Sequence, residues 1–123
     1  MNTLLAIGGA GAIGSMLRYV LGRVAQGKAH LSFPVGTLLV NVAGSLLVGV
    51  VARYFLNDET QPVLRAALIV GFCGGFTTFS AFSLETFGLI AGGAWFKAIG
   101  YVVTSTVLCV ASTAAGYQLV LRR

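Results

Sequence analysis

The stretch GFCGGFTTFSAFSLE, residues 71–85, places three glycines, four hydroxyl side chains and one carboxylate in the middle of an otherwise apolar chain. After its last glycine pair, three phenylalanines follow at three-residue spacing, at Phe76, Phe79 and Phe82. Polar groups are costly in hydrocarbon, because no water is present there to satisfy them. Such groups in a membrane segment usually mark a functional site. We therefore expect the function of this protein to reside in residues 71–85.

The composition of the whole chain is that of an integral membrane protein. Of its 123 residues, 57% are hydrophobic and only 9% are charged, whereas soluble domains carry roughly 25% charged residues. Four apolar segments, at 3–24, 35–55, 63–91 and 98–121, are each long enough for a bilayer core that needs about 20 helical residues. The sequence predicts an all-α protein with four transmembrane helices in a single domain, residues 1–123.

Charge, motifs and cysteine positions argue against several other classes of protein. The net charge is +5, but the basic residues stand singly or in pairs between apolar runs, so nucleic-acid binding is not expected. The first charged residue is Arg18, so the first segment lacks the basic start of a signal peptide and is expected to remain as a helix. Cys73 and Cys109 have no metal-type spacing and are interpreted as buried thiols. His30 is expected to be a solvated loop residue. We find no nucleophile with a partnering base, and no enzyme is expected.

The third apolar segment, 63–91, is too long for a straight crossing of the membrane. The glycine pair 74–75 near its centre predicts a break near residues 74–77, which gives two half-helices with irregular backbone between them. Discontinuous helices at membrane depth are found where backbone groups coordinate ions. The alternative interpretation is a kinked but continuous helix.

Two further polar features accompany the central stretch. Asn41 lies in the second segment, where a buried amide either joins helices or faces a polar pathway. In the fourth segment Tyr101, Ser105 and Ser112 project in nearly one direction, because successive helical residues turn by ~100°. This row is interpreted as a polar track. The alternative is that its hydroxyls bond to carbonyls of their own helix.

Positive charge is nearly balanced between the two sides of the predicted membrane. The positive-inside rule needs an imbalance of Lys and Arg to set an orientation. A chain without one can insert in both orientations and pair with an inverted copy, so we predict an antiparallel, dual-topology homodimer. The alternative is that the balance is due to chance, because so few basic residues are compared. The basic residues on one side are Arg53, Arg65, Arg122 and Arg123, and those on the other are Arg23, Lys28, Lys97 and, if it extends there, Arg18.

The central stretch 71–85 resembles the signature of the Fluc (CrcB) fluoride channel family. The motif NVAGS at 41–45 is similar to the second-helix motif of that family, and Arg18 stands where the family carries an arginine. The resemblance implies a fluoride-selective channel for passive fluoride export, with two pores in an antiparallel dimer, in the lipid of a prokaryotic cell membrane. The competing class is a small dual-topology, proton-coupled exporter of cations or drugs. Such a transporter needs an early membrane carboxylate, and residues 1–57 contain no Asp or Glu.

The resemblance also implies a structural Na⁺ at the centre of the dimer, held by backbone carbonyls at Gly74 and Thr77. Arg18 and Glu85 are expected to be structural or vestibule charges. Glu85 lies near a pore mouth or pairs with a basic side chain, and the pairing is favoured. Two positions depart from the family pattern, since Ala81 stands where a hydroxyl residue is common and Cys109 lies on the polar track.

The fluoride pore implied by the resemblance combines aromatic rings with hydrogen-bond donors. Aromatic rings have positive edges that can face an anion, and amides and hydroxyls can donate hydrogen bonds. A selective pore must replace the water around the ion and still release it, so no fixed cation is expected in its narrow part. For an arbitrary membrane helix, phenylalanines would instead be packing or lipid-facing residues. The expected pore residues are Phe79, Phe82, Asn41, Ser80, Ser83, Tyr101, Ser105 and Ser112.

Overall fold

The structure, a computed structural model, describes residues 1–29, 32–56 and 60–120. All regular secondary structure within these ranges is helical. Four helical stretches are long and apolar enough to cross a membrane, which confirms the predicted multi-pass, all-α architecture. His30, the acidic residues of the second loop and the C-terminal arginines lie outside the described residues. The four candidate spans are Asn2–Lys28, Val35–Tyr54, Pro62–Ala91 and Trp95–Leu119.

The first, second and fourth spans are single helices, whereas the third is built from several shorter pieces. Successive spans pack against one another. Pro62 begins the third span, where its missing N–H is not needed, and Gly93 takes a positive φ of 78° in the turn before the last helix. The elements are α1 (Asn2–Ala29), α2 (Val35–Tyr54), α3 (Pro62–Ala66), a π-helical segment (Ala67–Cys73), α4 (Gly74–Phe76), α5 (Phe79–Ala91) and α6 (Trp95–Leu119).

Helical backbone in the third span ends at Phe76 and begins again at Phe79. Between these two residues, Thr77 has a ψ of 160° and Thr78 has φ and ψ of −150° and 116°, so both are extended. The predicted range for irregular backbone, residues 74–77, overlaps the extended residues only at Thr77. Gly74 and Gly75 themselves belong to α4.

The glycines serve close helix packing instead. A Cβ atom added at Gly75 would collide with the carbonyl oxygen of Gly11, and one added at Gly14 would collide with that of Phe72. The absence of side chains at these positions lets α1 lie directly against the third span. Small residues at helix interfaces are the usual means of close backbone approach in membranes.

The second contact that organises the bundle joins α2 to α6, which pack along much of their length. A Cβ at Gly49 would meet the carbonyl of Thr113, and one at Gly116 would meet that of Leu46. Tyr101, on α6, is fully buried at 0% exposure. Large apolar side chains elsewhere are mostly exposed, as expected for surfaces that face lipid or a second chain.

We expect Gly116→Ala to destabilise the protein, because the added methyl would force α6 away from the Leu46 carbonyl. Overpacking of this kind costs about 1–3 kcal/mol. Gly100→Ala is the matched control, since it lies in the same helix and an added Cβ there meets nothing within 4 Å. The check is the thermal unfolding midpoint of each variant in detergent. Equal midpoints for the two variants would contradict the assigned α2–α6 contact.

Candidate functional site

Asn41 fixes α2 to the extended residues between α4 and α5. Its Oδ1 accepts a hydrogen bond from the Thr78 N–H at 2.7 Å, and its Nδ2 donates to the Thr78 carbonyl at 3.0 Å. A side-chain amide carries two N–H hydrogens, so one remains beyond this pair of bonds. Asn41 therefore joins two elements and still has a donor to offer on the cavity wall that it lines.

Thr78 also starts α5. Its Oγ1 accepts a hydrogen bond from the Ala81 N–H at 3.1 Å, which is the N-cap arrangement that satisfies a free donor of a first helical turn. The same hydroxyl lies 3.1 Å from Ser80 Oγ. Backbone and side chain of Thr78 are therefore held by hydrogen bonds to α2 and α5.

These bonds redirect the helical donors of the Gly74 and Thr77 carbonyls. In a continuous α-helix the Thr78 N–H would bond the Gly74 carbonyl, and the Ala81 N–H would bond the Thr77 carbonyl. Both N–H groups are instead directed to Asn41 and to the Thr78 side chain. Gly74 and Thr77, the two residues to which the resemblance assigns a cation, are thus among the four residues, 74–77, whose carbonyl oxygens lose their helical donors at the break.

The Gly75 carbonyl is satisfied from α1. Arg18 Nε donates to it at 3.1 Å and Ser15 Oγ donates at 3.3 Å. The guanidinium therefore connects α1 to the end of α4. This contact makes Gly75 a poor candidate for an ion ligand.

An aromatic series extends from α5 to α6. The ring centroids of Phe79 and Phe82 are 5.3 Å apart, and those of Phe82 and Tyr101 are 5.1 Å apart, with tilted planes. Phe33 meets Tyr101 edge to face at 5.3 Å. Phe79 is 78% exposed. Three of the predicted pore residues are thus brought together in one row, and its outer ring is open.

Glu85 lies next to Tyr101, the last ring on the α6 side of this row, and its hydrogen-bond partners are hydroxyl groups. Its two carboxylate oxygens accept hydrogen bonds from Thr37 Oγ1 at 2.6 Å and from the Tyr101 hydroxyl at 2.7 Å. Among the residues that the structure describes, no lysine or arginine forms an ion pair with it. The favoured expectation of a basic partner is therefore corrected: hydroxyl donors from α2 and α6 reach both oxygens of the carboxylate.

A cavity of about 470 Å³ lies between α2, the third span and α6. Ser105 on its wall is only 6% exposed, and its Oγ has no hydrogen-bond partner. A buried hydroxyl without a partner is unusual and costs free energy, so a ligand in the cavity would satisfy it. The lining includes the predicted site residues Asn41, Gly74, Thr77, Phe79, Phe82 and Ser105, and also Cys73, Thr78, Thr106 and Cys109.

The remaining predicted site residues lie away from this wall. Ser80 and Ser83 are exposed, and Ser112 is half-buried further along α6. Tyr101 contacts Phe82 without lining the cavity. Cys73 is buried, as expected, and Cys109 is partly exposed.

A second cavity, of about 240 Å³, lies on the other side of Thr78. Its wall includes Arg18, Arg23, Thr37, Thr78 and Glu85. Because Thr78 lines both cavities, they adjoin at the extended residues between α4 and α5.

Sequence reasoning missed Thr37 and the central role of Thr78. Thr78 carried a detectable signal, since a threonine just before an apolar helical run is a frequent N-cap. Thr37 carried a weaker signal, because it lies four residues before Asn41 and therefore on the same helix face. Within the described residues no group of three His, Cys, Asp or Glu side chains could hold a metal.

Comparison with known proteins identifies close relatives over nearly the full chain. The family model described as "CrcB-like protein, Camphor Resistance (CrcB)" matches residues 5–117. A protein of Rhizobium meliloti named fluoride-specific ion channel FluC is 42% identical over 97% of this chain and 96% of its own. Proteins of the same name from Nitrobacter winogradskyi and Geobacter sulfurreducens are 46% and 44% identical, over 95% and 94% of this chain and 94% of each relative.

Proposed function

The chain belongs to the CrcB family, as the resemblance of its central stretch predicted, and on this premise we propose that it is a fluoride-selective ion channel. Full-length similarity to relatives named fluoride-specific ion channels carries the proposal. Those names describe channels, which agrees with the expectation that the chain is not an enzyme. The four apolar spans fit a multi-pass protein, and we place it in a bacterial cell membrane.

The proposed pathway for fluoride follows the aromatic row and the larger cavity. Phe79 and Phe82 offer ring edges, which carry partial positive charge. The free N–H of Asn41 and the unpartnered hydroxyl of Ser105 offer hydrogen bonds from the cavity wall. These neutral groups replace the water around the ion without trapping it, as conduction requires. Ser80, Ser83 and Ser112 extend the path toward its two ends, and Tyr101 supports Phe82.

The channel is proposed to be an antiparallel homodimer with two pores. The balance of Lys and Arg between the two sides favours insertion in both orientations. Phe79, on the open side of the aromatic row, is 78% exposed in the single chain, and a second chain would cover it. The extended residues Thr77 and Thr78 make the third span a broken helix in this proposal, and the break lies at the centre of the dimer.

A structural Na⁺ is proposed at that break, with Gly74 and Thr77 as ligands. The residues present fit such an ion, because their carbonyls have lost their helical donors and unsatisfied carbonyls are costly in a membrane. The bound ion would supply positive charge for those oxygens and for the same two oxygens of an inverted copy. Hydroxyl and amide hydrogen bonds from Asn41 and Thr78 hold the backbone in the conformation that releases the carbonyls.

Sodium removal is expected to destabilise the dimer. If Na⁺ binds only the assembled protein, the thermal midpoint rises with Na⁺ concentration through mass action. The measurement is thermal unfolding of the purified dimer in NaCl and in N-methylglucamine chloride of equal ionic strength, with residual Na⁺ checked in both. A midpoint that is the same in both salts would contradict the Na⁺ assignment and leave the fluoride pathway unaffected.

The proposed function is tested by passive efflux from liposomes that contain the purified protein. Fluoride and chloride electrodes follow each ion after the membrane potential is clamped with valinomycin. Fluoride is expected to leave rapidly without a proton gradient, and chloride is expected to stay. Equal fluxes of the two anions, or fluoride flux only with an imposed proton gradient, would reject a fluoride-selective channel. The second outcome would instead favour a proton-coupled transporter, with Glu85 as the membrane carboxylate.

A further inference from the structure

We propose that Arg23 steers fluoride into the smaller cavity by electrostatic attraction at its mouth. The proposal rests on the proposed function and adds a residue that acts on the rate at which ions arrive. Arg23 lies outside the aromatic row and the larger cavity. It acts through its charge and makes no lasting bond to the ion.

The Arg23 side chain is exposed and held in place. Its Nη1 donates a hydrogen bond to the Tyr19 hydroxyl at 2.8 Å, and its guanidinium lies 5.5 Å from the centroid of the Tyr19 ring. Both residues line the smaller cavity. They lie in the C-terminal half of α1, and Gly22, next to Arg23, packs against Gly36 in the first turn of α2.

The smaller cavity opens toward the machinery of the proposed pore. Thr37, Thr78 and Glu85 share its wall. Thr78 also lines the larger cavity. Glu85 bonds to Tyr101, which contacts the ring of Phe82. The smaller cavity, which an anion enters at Arg23, therefore shares the Thr78 wall with the larger cavity, where Phe82 and Ser105 lie.

The net charge of the side chains around the smaller cavity depends on Arg23. The charged side chains on its wall are Arg18, Arg23 and Glu85. Arg18 is bonded to the Gly75 carbonyl, and its charge offsets that of Glu85. Arg23 then leaves a net charge of about +1, whereas a neutral residue at this position leaves about zero. An anion meets an attractive mouth only when position 23 is positive.

Screening by salt gives this role a characteristic signature. The Debye length is about 30 Å at 0.01 M ionic strength and about 3 Å at 1 M. One charge a few ångströms from the path, in an aqueous mouth, raises the local anion concentration about threefold at low salt. The same charge has almost no effect at high salt. A residue that only supported the fold would alter flux at both salt concentrations.

The test compares initial fluoride efflux from liposomes for the wild type, Arg23→Gln and Arg23→Lys. Efflux is measured at low fluoride in about 0.01 M and about 1 M of an impermeant salt. We expect Arg23→Gln to reduce efflux about threefold at low salt and to match the wild type at high salt. Arg23→Lys should retain wild-type efflux at both, because it keeps the charge.

Arg53→Gln is the matched control. Arg53 also lies over a tyrosine ring, 5.2 Å from the centroid of Tyr117, but it lines neither cavity. It should conduct like the wild type at both salt concentrations. Equal reductions in Arg23→Gln and Arg53→Gln, a reduction that persists at 1 M, or no reduction at all would each overturn the steering role. Absence of fluoride efflux from the wild type would instead overturn the proposed function.

Discussion

Replacement of Phe82 by isoleucine is expected to reduce fluoride efflux about 100-fold or more, which corresponds to a barrier increase of about 2.7 kcal/mol. Phe82 stands between Phe79 and Tyr101 and lines the larger cavity. Isoleucine is also apolar and fills part of the space, but it has no ring and therefore no positive edge to face the anion. The loss should therefore appear in conduction, with little change in folding.

The matched control for this prediction is Phe72→Ile. Phe72 also belongs to an aromatic pair in the third span, stacked on Phe76 with centroids 5.9 Å apart, but it lines neither cavity. Its efflux should stay within a few-fold of the wild type. The measurement is fluoride efflux per assembled channel, with thermal midpoints of both variants. Unchanged efflux from Phe82→Ile would remove this ring from the pathway.

Asn41→Leu is expected to abolish measurable fluoride efflux and to destabilise the protein. The leucine cannot bond either group of Thr78, so a backbone N–H and a carbonyl lose their partners. Each unsatisfied buried group costs about 1–3 kcal/mol. The extended residues between α4 and α5 would lose their position, and the larger cavity would lose an N–H donor. Thermal midpoint and efflux should therefore fall together.

Asn41→Asp separates the effect on stability from the effect on efflux. The aspartate is close in shape and can still accept the Thr78 N–H, but it offers no N–H to the Thr78 carbonyl or to an anion. When ionised it also places negative charge on the cavity wall. We expect a protein that still folds but loses at least about 100-fold in efflux. Ser45→Ala, on the same cavity wall, is the control. Asn41→Asp with wild-type efflux would limit Asn41 to a structural role.

Local properties of the chain made part of this molecule predictable. Hydrophobic length sets where a helix can cross a bilayer, so the four spans were found within a few residues of their observed bounds. The central motif was specific enough to identify the family. The cost of polar groups in hydrocarbon directed attention to residues 71–85 and to Asn41, which the structure brings into contact at Thr78.

Other features depended on contacts between distant residues, which spacing along the chain does not reveal. Irregular backbone was predicted near residues 74–77, but within that range Gly75 is helical and makes room for α1, and the extended residues are Thr77 and Thr78. Glu85 was expected to pair with a basic residue. Its actual donors are Thr37 and Tyr101, from α2 and α6, and nothing near Glu85 in the sequence indicates them.

The sequence by itself determined that this protein has four apolar segments long enough to cross a membrane, that a polar motif interrupts the third of them and that the chain belongs to the CrcB family. These properties follow from hydrophobic length and local residue identity, which act within a single segment. Tertiary structure decided which backbone carbonyls are free, because Asn41 on α2 takes the Thr78 N–H that would otherwise complete the helix. It also decided that Arg18 serves Gly75 and that Ser105 lies buried without a partner. Hydrogen bonds between helices select one arrangement among many that the local pattern allows.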